Sequence, residues 1–154
     1  MKHTLLFLFI MSSLFFNSCS IVKDGKPSIK QGVFGRVLWL EGNMMPSTTP
    51  NSNAGGKPAS RTVNIYELTH QTEVEGQSPL FKIVKTKLVA SVKSDANGYF
   101  QCKLAPGKYS VFTVEDDGQF FANLFEGNGE ITPFEIKENQ IANYNININY
   151  KAFY

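Results

Sequence analysis

The sequence predicts an all-β body, an antiparallel sandwich of seven to eight strands, behind an N-terminal leader that stays outside the fold. Three observations carry this expectation. Short runs rich in β-branched and aromatic residues recur from Gly32 to Tyr150 at intervals of about 8 to 15 residues, parted by Gly, Pro, Asn and Asp turn signals. No window of comparable length carries apolar residues at helical spacing with caps at both ends. The leader is apolar from Leu5 to Phe16 and gives way at Cys19 to a polar stretch.

Its apolar core is about a dozen residues, too short for the roughly 20 of a membrane-spanning helix and within the range of a signal peptide. The run Phe16-Asn17-Ser18-Cys19 resembles a lipobox, the processing site of bacterial lipoproteins. The resemblance implies cleavage after residue 18 and acylation of Cys19, anchoring the chain in the cell envelope, with the outer membrane as the expected destination. An ordinary signal peptide cleaved near a Cys, or a retained N-terminal strand or helix, are the alternatives. Two or more acyl chains hold stably where one binds reversibly.

Removing residues 1–18 leaves about 136, the size of one ordinary domain. The net charge of +2 is spread among scattered Lys, Glu and Asp, which excludes a basic nucleic-acid surface. Of two Cys residues, only Cys102 remains as a thiol if Cys19 is lipidated, so packing rather than a disulfide must stabilise the body.

Residues 19–31 read as a flexible tether, since Lys23, Asp24, Gly25 and Pro27 leave little to bury. The folded body spans 32–154. Gly32 to Leu40 is the first strand, with Gly35 marking a bulge or a close backbone approach. Residues 41–60, with three Pro and three Gly, form a loop of unusual length, either functional or disordered. Thr62 to Leu68 alternates Val63, Ile65 and Glu67 against Asn64, Tyr66 and Leu68; Phe81 to Val92 is one long or two short strands. Tyr99 to Leu104, Lys108 to Val114, Phe120 to Phe125 and Ile131 to Lys137 follow. Ile141 to Tyr150 closes the series with Tyr144, Ile146, Ile148 and Tyr150 against Asn145, Asn147 and Asn149, the period-2 pattern of a half-buried strand.

Two turns add detail. In Ser94-Asp95-Ala96-Asn97-Gly98-Tyr99-Phe100, Asn-Gly supplies the positive φ of a tight hairpin and Asp95 can accept from backbone amides. Leu104-Ala105-Pro106-Gly107-Lys108-Tyr109 suits a type II turn. The ordered set Gly32-x-x-Gly35-Arg36-Val37, Val63-Asn64-Ile65-Tyr66, Ser94-Asp95-x-x-Gly98-x-Phe100 and Leu104-x-Pro106-Gly107-x-Tyr109 resembles the carboxypeptidase regulatory-like domain over Gly32 to Val114. That resemblance implies a transthyretin-like (prealbumin-like) sandwich acting as a structural and interaction module, with no shared catalytic residues to transfer.

Reactive side chains are few. His70-Gln71-Thr72-Glu73 matches the H-x-x-E of zinc carboxypeptidases, but a catalytic zinc needs three protein ligands and the other His lies in the leader. Cys102 reads as a small buried residue. Ser, His and Asp are present without a G-x-S-x-G elbow. The acidic turns Glu115-Asp116-Asp117-Gly118 and Glu126-Gly127-Asn128-Gly129-Glu130 offer oxygen ligands of the kind calcium takes, though neither matches an EF-hand. No catalytic residue, metal site or cofactor is therefore assigned.

The aromatics exceed what alternation can direct into one core, so some are expected at a contact surface. Trp39, Met44, Met45, Phe120 and Phe121 are the candidates, the Trp and two Met beside the long loop making an adaptable apolar surface. The expected function is a lipid-anchored interaction or structural module meeting an envelope protein or glycan. The alternative is a carbohydrate- or peptide-binding accessory domain that uses exposed aromatics, and a hydrolase with an unrecognised site is a third reading.

Overall fold

A computed structural model describes Val22, residues 25–45 and residues 55–154. Cys19 and the middle of the 41–60 loop lie outside them. The strands are β1 (Gly32–Asn43), β2 (Lys57–Pro58), β3 (Thr62–Glu67), β4 (Val74–Gln77), β5 (Leu80–Val84), β6 (Leu88–Lys93) and β7 (Tyr99–Cys102). They continue with β8 (Gly107–Val114), β9 (Phe120–Phe121), β10 (Phe125–Glu126), β11 (Glu130–Ile131), β12 (Pro133–Ile136), β13 (Ile141–Asn143) and β14 (Ile146–Phe153). The one helical element among the described residues is a 3-10 turn at Gln71–Glu73. The protein is an all-β sandwich.

The first sheet is built on β1. On one side it pairs antiparallel with β7 and then β2; on the other it pairs parallel with β13 and then β14. The second sheet runs β4-β5-β9-β8-β3-β6, with β12 also on β8, and all of its pairs are antiparallel. β10 and β11 form a separate two-stranded ribbon.

Alternation decides the core. Val33, Val37, Phe100, Cys102, Ile146 and Ile148 of the first sheet meet Val63, Ile65, Val111, Phe121 and Ile136 of the second. Each buried Val, Ile or Phe among them contributes roughly 1.5–3 kcal/mol relative to exposure. The other face of the second sheet is also buried: Tyr66, Phe81, Phe112, Ala122 and Ile131 form a second apolar cluster. Its rings meet edge to face, Tyr66 on Phe112 at 5.6 Å and Phe81 on Phe112 at 6.3 Å, with Phe125 of the ribbon closing over Phe81. Part of the surplus of aromatics thus fills a second core.

Gly35 is where two backbones touch. A Cβ there would stand 1.8 Å from the Tyr144 carbonyl oxygen, at the break between β13 and β14, and the Tyr144 amide donates to the Phe34 carbonyl at 2.9 Å. The 95–98 turn has the predicted chemistry: Asp95 Oδ1 accepts from the amides of Asn97 and Tyr99 at 2.8 and 2.9 Å. Only Gly98 of the Asn-Gly pair takes positive φ, 81°, so this is a type I turn closed by a left-handed residue. Downstream, the Tyr109 hydroxyl donates to the Ala105 carbonyl at 3.0 Å and ties down the Pro106-Gly107 turn.

Residues 25–31 are not the loose connector that their polarity suggests. Ile29 is 5 % exposed and Gly25 lies against the Tyr99 ring. Ser28 exchanges two hydrogen bonds with Gln101, its amide donating to Oε1 at 2.9 Å and its hydroxyl accepting from Nε2 at 2.8 Å. Gln101 explains the packing: it is a polar residue on the outward face of β7, and the segment covers it completely.

Candidate functional site

The far end of the first sheet gathers the candidate contact residues. β1 runs on past Leu40 to Asn43, pairing with β14 as far as Phe153, and the Met44 amide then donates to the Phe153 carbonyl at 2.8 Å. This places Met44 and Met45 beside Phe153 and Tyr154. Met45 is 56 % exposed, and Phe153 and Tyr154 are 72 % exposed each, the most exposed of the described large apolar residues. Asn43 Oδ1 holds the Met45 amide at 2.9 Å, and Asn149 Nδ2 donates weakly to the Tyr154 hydroxyl at 3.5 Å.

Trp39 lies just inside this patch and is held from several sides. Its ring meets Tyr150 edge-on at 5.2 Å, the Arg61 guanidinium and the Lys151 ammonium each lie 5.6 Å from it, and its N–H donates to Glu41 Oε2 at 2.9 Å. That bond first, and Lys57 second, holds the Glu41 carboxyl below its ordinary range. A bulge positions Tyr150: β14 advances from Ile148 to Lys151 while β1 advances only from Trp39 to Glu41.

Under Trp39 lies a buried carboxylate. Glu115, 5 % exposed, accepts from Arg61 Nε at 3.3 Å, from the Thr113 hydroxyl at 2.9 Å and from the Tyr150 hydroxyl at 3.1 Å. Its oxygens are committed to the fold. Among the described residues no group of three or more His, Cys, Asp or Glu is placed to hold a metal.

The other sequence candidates fall elsewhere. Phe121 is 1 % exposed in the core between the sheets and presents no surface to a partner. Phe120 packs half-buried on the opposite face, edge-on to Tyr66 at 6.2 Å. His70 and Glu73 serve the 3-10 turn, Glu73 Oε2 accepting from the His70 amide at 2.9 Å. Cys102 is wholly buried between the sheets.

Burial first and the Glu115 charge second push the Tyr150 phenol up to about 12; burial, then the Glu126 charge, does the same for Tyr144. An unfolded tyrosine ionises near 10. Between those values the folded chain binds more protons than the unfolded one, so this stabilisation is complete below about pH 10 and is lost as pH rises toward 12. Ultraviolet absorbance and circular dichroism across that window are expected to show stability falling as pH rises, with Tyr144 and Tyr150 ionising well above the usual tyrosine range. Their ionisation near pH 10 with the fold intact would contradict the burial described.

Comparison with protein-family models, with curated proteins and with solved structures finds no significant match.

Proposed function

We propose that this chain is a lipid-anchored, non-catalytic module of the bacterial cell envelope, and that it works by contact through the Met44, Met45, Phe153 and Tyr154 end of its first sheet. The observation that carries the reading is the gathering of the most exposed apolar side chains at one end of a sheet, beside a Trp. Exposed apolar clusters of this kind are surfaces for partners, and methionines adapt to the partner's shape. Of the side chains that sequence reading offered for chemistry, Cys102 is packed in the core, Glu73 caps the 3-10 turn through the His70 amide, and Glu115 sits in a buried ion pair.

The path of the N-terminal segment supports the anchored reading. Gln31 bonds to the Leu104 carbonyl, Ser28 to Gln101, and Gly25 lies on Tyr99, so the chain read backwards travels toward the exposed end. That direction of the described segment suits a partner embedded in or lying on the membrane. The two turns at 94–100 and 104–109 support placing the body with the carboxypeptidase regulatory-like domains.

Site-specific photocrosslinking in intact cells tests this. A crosslinker at Met45 or Tyr154 is expected to capture one shared envelope protein, and one at Glu138, beyond the opposite end of β1, is not. Equal capture at all three positions, or none while the chain sits in the membrane fraction, would overturn the contact reading.

A further inference from the structure

A different surface carries a second site. Where β13 gives way to β14, the chain faces residues 122–124 across a cleft of about 280 Å³, roughly nine water volumes at ~30 Å³ each and enough for a sugar ring. None of its lining residues is charged. The polar part of the wall is carboxamide, from Asn123, Asn143 and Asn147 among others, and the apolar part includes Tyr144 and Leu124. Leu124 is 46 % exposed at the rim.

Two features set this cleft apart from a chance hollow. The carboxamides of Asn143 and Asn147, both exposed, make no hydrogen bond to another described residue, so a donor pair and an acceptor remain available on each. Thr132 in the wall holds φ at 40°, a costly conformation for a β-branched residue. It is held there by its amide donating to the Leu124 carbonyl at 2.8 Å and its hydroxyl donating to the Val111 carbonyl. The strained residue thereby fixes the position of Leu124 against the asparagines.

We propose that this cleft binds an uncharged saccharide. A side chain that donates and accepts at once matches a sugar hydroxyl, and an apolar wall matches the C–H face of the ring. Anionic ligands are disfavoured because no Arg or Lys lines the cleft. Hydrolysis is not part of the proposal, since cleaving a glycosidic bond ordinarily takes two carboxylates and the lining has none. A peptide added as a strand along the β14 edge would need the Asn147 carbonyl. Asn123 Nδ2 already donates to that oxygen at 3.2 Å and to Asn149 Oδ1 at 3.0 Å, straddling the edge.

The test is a titration of the isotope-labelled exported chain with cellotriose, maltotriose and tri-N-acetylchitotriose, following side-chain amide resonances. At least one sugar is expected to move the Asn143 and Asn147 signals, with saturation in the millimolar range. The Asn143→Ala/Asn147→Ala double variant, which removes no internal hydrogen bond, is expected to keep its circular dichroism and weaken that binding at least tenfold. No shift with any of the three sugars, or equal affinity in the double variant, would overturn the proposal. So would shifts at these residues with a neutral extended peptide alone, which would assign the cleft to strand addition.

Discussion

Gly35→Ala is expected to abolish stable folding, or to cost more than about 4 kcal/mol if any folded protein survives. The cause is collision rather than backbone preference. The new Cβ would lie 1.8 Å from the Tyr144 oxygen, 2.7 Å from its carbonyl carbon and 3.0 Å from the Phe100 ring. Phe100 is fully buried and cannot give way, so Tyr144 must move. The hydrogen bond from its amide to the Phe34 carbonyl would go, and β13 and β14, which flank it, would be levered off β1 together. Gly127→Ala, which meets nothing within 4 Å, is the control, expected within about 0.5 kcal/mol of the parent. Urea unfolding reads both, and a Gly35→Ala protein within 1 kcal/mol of the parent would show that the two backbones do not meet as described.

Arg61→Met is the second large effect. It would leave the Glu115 carboxylate, with only 2 % of its side chain exposed, without its cation and with two hydroxyl donors remaining. Removing one partner of a buried pair costs about 3 kcal/mol, most of it the penalty of the stranded charge. Arg61→Met/Glu115→Gln removes that charge as well and is expected to recover about 1–2 kcal/mol, a coupling that denaturation of the four-member cycle measures directly. Lys57→Ala, which breaks the exposed pair with Glu41 at 3.0 Å, is expected to cost far less than Arg61→Met. Equal losses from Arg61→Met and Lys57→Ala would contradict the burial assigned to Glu115.

Much of this body was legible because its strands obey period 2. Val63 and Ile65, and Ile146 and Ile148, enter the core as alternation predicts. Gly35 was legible as a close approach, and Asp95 as a turn acceptor, because each residue type answers one local requirement. What alternation could not supply is tertiary. The break in the last long strand at Tyr144 follows from its contact with Gly35, more than a hundred residues away in sequence. The kink at Thr132, dividing Ile131 to Lys137 into β11 and β12, follows from bonds to Leu124 and Val111. The parallel pairing of β1 with β13 and β14 leaves no mark on either strand's own pattern.

The candidate site was half legible. Met44 and Met45 are legible from composition beside a long loop; Met45 is exposed there and Met44 half-buried. Phe153 and Tyr154 are brought to Met45 only by the pairing of β1 with β14. Phe121 enters the core and Phe120 packs half-buried on the other face, because a sheet covered on both faces absorbs consecutive aromatics. Gly25 to Gln31 was misread because a polar segment can still pack when a buried glutamine supplies its hydrogen bonds.

Mass spectrometry of the chain's own N-terminus, taken from the membrane fraction, tests the central claim most directly. An N-terminal peptide beginning at Cys19 and carrying a diacylglyceryl group with a further acyl chain is the result predicted, together with loss of the Cys19→Ala variant from that fraction. A mature chain that starts at another residue, or a Cys19 that bears no lipid, would contradict it.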